Sequence, residues 1–189
     1  MSLVPTPSQT VGPYLHLGLT WLTTTELARP GARGERIAVA GRVVDGDGAP
    51  IPDAMLEVWQ ANAAGKYDHA EDRCDLAVDP AFKGWGRIPT DMDGNFRFTT
   101  VKPGPVPGRG NSMQAPHILV AIFMRGMLRH AYTRIYFSDE AANASDPVLA
   151  LVEPPARRAT LVAARQEGAA EYRFDIVMQG DGETVFFDC

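Results

Sequence analysis

The chain has 189 residues, of which 45% are hydrophobic and 22% charged, enough to bury the core of one domain. Its 18 lysines and arginines against 23 acidic residues give a net charge of -5, which argues against nucleic acid or an anionic membrane as a partner. Four histidines and two cysteines supply few imidazole or thiolate ligands for a metal site. Because the cysteines, Cys74 and Cys189, suggest no disulfide framework, their usage is typical of a reducing cytoplasm.

No basic segment followed by an apolar stretch occurs at the N-terminus, so the sequence predicts no signal peptide. The longest apolar run, 118–124, is far shorter than the roughly 20 residues that a membrane span needs. We therefore expect a soluble, cytoplasmic protein.

Prolines and glycines interrupt any regular spacing of hydrophobic residues in residues 1–35. This pattern predicts an N-terminal arm with one short helical turn near 24–28. From Arg36 onward, apolar and polar residues alternate in short runs, as in half-buried strands. The predicted strands are 36–43, 54–60, 85–90, 95–101, 117–124, 131–137, 171–178 and 184–187; the long irregular loops are 61–83 and 102–114; helix-like segments are 146–151 and 157–165. Many short strands and few helices predict an all-β sandwich over residues 36–189.

Two Asp-x-Asp-Gly segments, Asp45–Gly48 and Asp91–Gly94, have residues that suit either a tight turn or a calcium loop. A calcium loop of the EF-hand type needs a closing glutamate and flanking helices, which this sequence does not predict. We interpret both segments as hairpin turns.

Residue types alone do not assemble a complete active site. The chain has no Gly-x-Ser-x-Gly nucleophile motif, and its glycine-rich segment 104–110 lacks the lysine of a phosphate-binding loop. The histidines, His16, His69, His117 and His130, form no closely spaced pair. His117 begins the best strand, where a lone histidine is more often a structural residue than a metal ligand.

Six phrases occur in order between residues 56 and 137: Leu56–Asn62, Gly65–Tyr67, Thr90–Gly94, Lys102–Pro105, Ala115–Ile118 and Arg134–Phe137. Together they resemble the intradiol ring-cleaving dioxygenases, the non-haem ferric enzymes that open catechols. The resemblance implies a β-sandwich of the intradiol dioxygenase type with an N-terminal arm and a few short helices.

In the catalytic chains of this family, two tyrosines and two histidines hold ferric iron, and phenolate oxygens suit Fe(III). The resemblance aligns Tyr67 and His117 with one ligand of each kind, but it aligns Val106 and Leu119 with the other two. Gln114 replaces an arginine that would stabilise negative charge near the ring. The resemblance therefore implies a chain without metal or catalytic residues, in which Tyr67 and His117 are remnants.

The segments 6–14 and 179–188 resemble the arm and tail of the non-metal, α-type chain of this family. In that chain type, the arm residues Gly12, Pro13 and Tyr14 enter the substrate cavity of a catalytic β-type partner, and Arg134 faces the same cavity. A guanidinium suits a substrate carboxylate. For Gly12 and Pro13, the alternative to a cavity role is an ordinary arm tethered to its own chain. For Arg134, the alternative is a surface ion pair on an edge strand.

The resemblance thus implies an enzyme subunit that is inactive alone and acts in aromatic compound catabolism. Its partner would be a β-type chain that holds Fe3+, and the two would form a higher hetero-oligomer. A small aromatic substrate would bind the partner's iron and be cleaved by O2 between its hydroxyl-bearing carbons. One alternative is a metal-free homo-oligomer that binds an aromatic acid. Another, a self-sufficient catechol dioxygenase, is disfavoured by Val106 and Leu119.

Overall fold

Strands dominate the computed structural model, which describes residues 7–188. The strands are β1 (Arg36–Val44), β2 (Met55–Trp59), β3 (Trp85–Pro89), β4 (Asn95–Val101), β5 (Val106–Pro107), β6 (Met113–Gln114), β7 (Ile118–Phe123), β8 (Ala131–Phe137), β9 (Val162–Arg165), β10 (Glu171–Arg173) and β11 (Ile176–Val177). The helical segments are a π-type turn, Leu15–Leu19, and the 3-10 segments Thr20–Leu22, Ala141–Ser145, Leu149–Leu151 and Pro155–Leu161. The prediction of a β-rich fold with few short helices is confirmed.

The sheet has the strand order β11-β1-β10-β9-β8-β7-β2-β3, and β4 also pairs with β1. β3, β2, β7 and β8 form four antiparallel neighbours, and a parallel β8–β9 pair joins them to the strands around β1. β3 lies near β4, so the sheet nearly closes on itself. A separate hairpin of β5 and β6 covers one part of it. The two-layer sandwich and the division into an arm and a domain at residue 36 stay predictions.

The core is built by alternating side chains of the long strands. Phe96 and Phe98 of β4 and Ile118, Val120 and Ile122 of β7 are all at most 3% exposed. Burying each such side chain contributes roughly 1.5–3 kcal/mol, which explains why the alternation fixes these strands. The same cluster includes Leu27 and Ala28 from the predicted arm.

The helical turn predicted at 24–28 is wrong. The Thr24 amide donates to the Arg87 carbonyl at 2.9 Å, and the Leu27 amide donates to the Thr99 carbonyl at 2.8 Å. The segment therefore runs extended along β3 and β4, because their carbonyls accept its amide hydrogens. The helical turns lie earlier, at Leu15–Leu22.

Five other predicted boundaries change. The helix-like segment 146–151 is helical only at Leu149–Leu151. The loop 102–114 contains the β5–β6 hairpin, closed by a Gly108 amide to Ser112 carbonyl hydrogen bond of 2.9 Å. The segment 157–165 is helical only to residue 161 and then forms β9, which pairs with β8. The strand 171–178 breaks beside Gly41, where a Cβ atom would lie 1.7 Å from the Phe174 carbonyl oxygen. The strand 184–187 is reduced to one bridge, between Phe187 and Tyr132.

Both Asp-x-Asp-Gly segments form tight turns, as predicted. Asp45 Oδ1 accepts hydrogen bonds from the amides of Asp47 and Ala49, and Asp91 Oδ1 accepts them from Asp93 and Asn95. Residues 1–6 of the arm and Cys189 lie outside the described residues. Within the described part of the chain, no helix has the length and apolar character needed to cross a membrane.

Candidate functional site

The four positions that align with iron ligands come together around one arginine. Strand register places Leu119 of β7 between Trp59 of β2 and Arg134 of β8. The Tyr67 ring stacks on the Trp59 ring, with centroids 5.7 Å apart and an interplanar angle of 8°. We call this group, Tyr67, Val106, His117, Leu119 and Arg134, the remnant centre.

The β5–β6 hairpin contributes the remaining side of the remnant centre. Val106, which is 4% exposed, lies opposite Gln114 in the hairpin register. Gln114 Oε1 accepts a hydrogen bond of 2.7 Å from Arg134 Nη1. The guanidinium that the catalytic chains are expected to carry at position 114 is thus supplied here from the strand β8.

A tight loop turn positions Tyr67. Gly65 has a φ of +86°, and a Cβ atom there would lie 2.2 Å from the Pro105 carbonyl oxygen, so only glycine fits. Asn62 Oδ1 accepts hydrogen bonds from the amides of Ala64 and Lys66 at 2.9 and 3.0 Å. The long loop 61–83, predicted to be irregular, is therefore held in one conformation where it carries Tyr67.

Both remnant side chains are neutral near pH 7. Burial raises the pKa of the Tyr67 phenol, although the Arg134 charge acts in the opposite direction. Burial, and then the Arg134 charge, lowers the pKa of His117 from 6.5 to about 4. His117 Nδ1 donates to the Ala115 carbonyl oxygen at 2.8 Å, which leaves Nε2 as the acceptor nitrogen. Arg134 is consequently the cation of the remnant centre.

Neutral groups hold the Arg134 side chain in place. Besides its bond to Gln114, Nη1 donates to the Tyr136 hydroxyl at 3.2 Å, and that hydroxyl donates to Asp146 Oδ1 at 3.1 Å. Asp146 is 1% exposed and also accepts the amides of Ala115, Val148 and Leu149. β8 lies between β7 and β9, and no ion pair of the described residues includes Arg134. The alternative of a surface ion pair on an edge strand is therefore wrong.

These residues do not fit a ferric ion. Two of the four aligned positions carry the apolar Val106 and Leu119, which offer no replacement for the lost hydration of an ion. The described residues contain no group of three or more histidine, cysteine, aspartate or glutamate side chains placed to hold a metal. Arg134 adds a positive charge beside the two remaining groups.

Two cavities flank the β5–β6 hairpin. One has a volume of about 560 Å³, and its walls include Trp59, Tyr67, His69, Val106 and Pro107. The other, of about 370 Å³, is lined by Gly108, Arg109, Gln114, Arg134, Pro147, Val148 and Leu151. Arg134 therefore borders a space with two guanidinium groups and an apolar wall, a combination that suits a carboxylate with an apolar body.

The arm residues lie at the other end of β7. Gly12 is buried with a φ of +35°, and a Cβ atom there would lie 2.9 Å from the Arg125 Cα. Thr10 Oγ1 donates to the Met124 carbonyl oxygen at 3.0 Å. Pro13 and Tyr14 are exposed. Gly12 thus anchors the arm on its own chain, and the structure does not bring Gly12, Pro13 or Tyr14 together with Arg134.

Sequence reasoning missed the groups that orient Arg134. The Asp146-Pro147 pair is typical of a helix start, but the 3-10 segment begins only at Leu149 with Val148 as its N-cap; Asp146 nevertheless accepts hydrogen bonds from the amides of Val148 and Leu149. Its bond to Tyr136 depends on tertiary packing, and no sequence signal predicts it.

Comparison with known proteins gives a consistent result. Residues 13–180 match the family profile described as "Dioxygenase". The chain is 47% identical to the protocatechuate 3,4-dioxygenase alpha chain of Pseudomonas putida, over 100% of this chain and 98% of that one. It is 39% identical to the corresponding beta chain of Burkholderia cepacia, over 80% of this chain and 67% of that one. The dioxygenase domain of a dioxygenase and carbohydrate-binding protein fusion from Streptomyces sp. SirexAA-E has a similar structure, with a TM-score of 0.64 and 28% identity, covering 84% of this chain and 88% of that one.

Proposed function

The chain belongs to the intradiol ring-cleavage dioxygenase family, and from that premise we propose that it is the metal-free α-type subunit of a protocatechuate 3,4-dioxygenase. Its partner is a β-type chain that holds ferric iron, and together they convert protocatechuate and O2 to 3-carboxy-cis,cis-muconate. The observation that carries this proposal is a retained fold whose remnant centre does not fit iron. Similarity to an alpha chain over the full length of both proteins supports it.

The partner's iron supplies the activation of the catechol ring, and this chain supplies walls of the cavity. We assign the contacts of this chain with the substrate cavities of the complex to two separate groups: Gly12, Pro13 and Tyr14 of the arm, and Arg134, which lies at the other end of β7. Arg134 Nη2 and Nε make no hydrogen bond within the described part of the chain, so they are available to a substrate carboxylate.

The arm also presents an apolar surface suited to the partner chain. Tyr14, Leu17 and Trp21 are 60%, 79% and 78% exposed and lie within eight residues of one another in the arm. Large apolar side chains that are exposed together are typical of protein interfaces. This surface supports a hetero-oligomer with the β-type chain.

The iron content of the purified chain tests the proposal. We expect the chain alone to contain no stoichiometric iron and to lack the visible absorption of tyrosinate bound to Fe(III). Co-expression with a β-type chain that carries both tyrosines and both histidines should give a coloured, active complex. A coloured and active protein from this chain alone would contradict the proposal.

The cavity beside Arg134 supports a second candidate, a metal-free homo-oligomer that binds an aromatic acid by itself. Isothermal titration calorimetry distinguishes the two. The subunit proposal expects negligible affinity of the isolated chain for protocatechuate, whereas a saturable binding curve and self-association would favour the homo-oligomer.

A further inference from the structure

We propose that the ion pair between Asp53 and Arg125 fixes the N-terminal arm on its own chain and thereby determines where the arm enters a substrate cavity of the complex. The inference rests on the proposed function, which assigns Gly12, Pro13 and Tyr14 to such a cavity. Both members of the pair are thus positioning residues, because they act through the arm and not on the substrate.

The arm contacts two separate segments of its own chain. Thr10 Oγ1 donates to the carbonyl oxygen of Met124, just after β7, at 3.0 Å. His16 Nε2 donates to the carbonyl oxygen of Pro52, just before β2, at 3.1 Å. Between these two contacts the arm forms the turn that presents its cavity residues, so the position of the turn depends on both segments. We call the two segments the arm-binding surface, residues 50–53 and 124–125.

The ion pair joins the two segments where the sheet no longer does. Pairing of β2 with β7 ends at Met55 and Phe123. Two residues beyond this end on each segment, the same register brings Asp53 opposite Arg125, whose Nε donates to Asp53 Oδ2 at 2.5 Å. The segments also border a cavity of about 310 Å³, so apolar packing between them is incomplete. The side-chain pair therefore links the segments where strand pairing has ended.

Burial makes the Asp53 carboxylate depend on Arg125. The Asp53 side chain is 4% exposed, and its Oδ1 accepts no hydrogen bond among residues 7–188, so Arg125 is its only hydrogen-bond partner in this part of the chain. Asp45, the other charged residue that borders the cavity, is also acidic. Removing Arg125 would leave a buried charge uncompensated, which is strongly destabilising. We expect residues 50–53 to shift towards solvent in response.

The arm follows the backbone of Arg125 closely. A Cβ atom at Gly12 would lie only 2.9 Å from the Arg125 Cα, and Leu15, three residues later, is fully buried. A displacement of either segment of the arm-binding surface should therefore carry the arm with it. Where the arm borders the substrate, a displacement of about 1 Å can lower the reaction rate by up to about 100-fold.

Hydrogen exchange in the full chain purified alone tests the first step. The amides of Tyr14 and Leu15 form the backbone hydrogen bonds of the arm turn. We expect R125A and D53N each to raise the exchange rate of these amides at least about fivefold, because the turn opens more often when its supports are loosened. R125K keeps a cation for Asp53 and should restore most of the protection.

Kinetics of the complex with a β-type chain test the second step. R125A and D53N should lower kcat/KM for protocatechuate at least about tenfold, mainly through a higher KM, because a displaced arm no longer closes the cavity. Iron per complex should stay the same, because the partner holds the iron. R173A is the matched control: it breaks an ion pair with Asp175 that includes no residue of the arm or of the arm-binding surface, and it should change neither exchange nor KM.

Thermal unfolding and size-exclusion chromatography show whether each variant is folded and assembled. Because the Arg125 side chain is 67% exposed, R125A provides a folded variant even if D53N does not fold. Unchanged exchange in R125A would overturn the inference, as would an unchanged kcat/KM in its complex or equal effects of R173A. Failure of the unmodified chain to form an active complex with a β-type chain would instead refute the proposed function, so the two failures are distinguishable.

Discussion

Two arginines on neighbouring strands have opposite electrostatic surroundings. Arg165 of β9 belongs to a cluster in which its Nη1 donates to Asp139 at 2.7 Å and its Nη2 donates to Glu35 at 2.8 Å. Lys102 and the Tyr172 hydroxyl also donate to Asp139. We call this group the Asp139 cluster. Arg134 of β8, in contrast, has only neutral hydrogen-bond partners among residues 7–188.

The difference separates a structural cation from one that is available for function. Two carboxylates compensate the charge of Arg165, so the fold alone accounts for its presence. The charge of Arg134 is held at the edge of a cavity, at a cost in desolvation, and it reaches a carboxylate, that of Asp146, only through the Tyr136 hydroxyl. An anionic ligand bound beside Arg134 would offset this cost, so substitutions in the two regions should have different effects.

The largest effect is expected in the pH dependence of stability at the remnant centre. The pKa of His117 is lowered from 6.5 to about 4, mainly by burial, so below pH 6.5 the unfolded chain binds a proton that the folded chain does not. His117 therefore stabilises the fold fully above pH 6.5, and this contribution falls as the pH decreases towards 4. The expected loss is about 1.4 kcal/mol per pH unit and up to about 3 kcal/mol in total.

Urea denaturation at pH 7, 5.5 and 4.5 measures this loss. Unfolding of His117→Asn should take up one proton fewer in this pH range, so the slope of unfolding free energy against pH should be smaller by about 1.4 kcal/mol per pH unit. His130→Asn is the control, because His130 is exposed. An unchanged slope in His117→Asn would show that His117 is not buried in its neutral form.

A smaller effect is expected on substrate binding in the assembled enzyme. Removing the guanidinium in Arg134→Ala should raise the KM for protocatechuate about 30-fold, the equivalent of about 2 kcal/mol for a charge-assisted hydrogen bond. The KM for catechol, which has no carboxylate, should change much less. Steady-state kinetics with both substrates checks this.

Tyr172→Phe provides the matched change in the Asp139 cluster. It removes a hydroxyl that donates to Asp139 at about 3.0 Å, and it should lower stability by about 1 kcal/mol while leaving both KM values unchanged. Equal changes of the two KM values in Arg134→Ala would remove the proposed role in carboxylate binding.

The same two regions show which features of the structure can be predicted from the sequence. Residues 95–101 and 131–137 form strands as predicted, because alternating burial of side chains such as Phe96 and Phe98 is a local signal. The surroundings of Arg134 depend on the register of β7 with β8 and on the hairpin inside a loop predicted to be irregular. Those contacts are non-local, so neither periodicity nor motif spacing could predict them.

The extended segment 24–28 shows the same limit. Its backbone groups pair with β3 and β4, which lie about 60 to 70 residues further along the chain. Family resemblance did supply the positions of Tyr67 and His117, because it compares whole ordered phrases. It could not show that Arg134 lies between the two positions that lost their ligands.

The smallest effect on the unfolding free energy is expected from Asp139. It should occur at a lower pH than the effect of His117, so the two regions can be told apart by the pH at which stability changes. Although partial burial acts in the opposite direction, hydrogen bonds from Arg165, Lys102 and Tyr172 lower the pKa of Asp139 from 3.8 to about 2. Asp139 therefore stabilises the fold above pH 3.8 and loses that contribution only as the pH falls towards 2. Because the carboxylate is partly exposed, the contribution should be under about 1 kcal/mol.

Asp139→Asn should therefore flatten the dependence of unfolding free energy on pH below 4 and leave the slope between pH 6.5 and 4 unchanged. Urea denaturation at pH 2.5, 3.5, 4.5 and 6.5 measures both parts. A changed slope above pH 4 in this variant would mean that the Asp139 cluster and the remnant centre titrate together. In that case the compensated and the uncompensated arginine would belong to one electrostatic unit, and Arg134 could no longer be treated as an isolated cation.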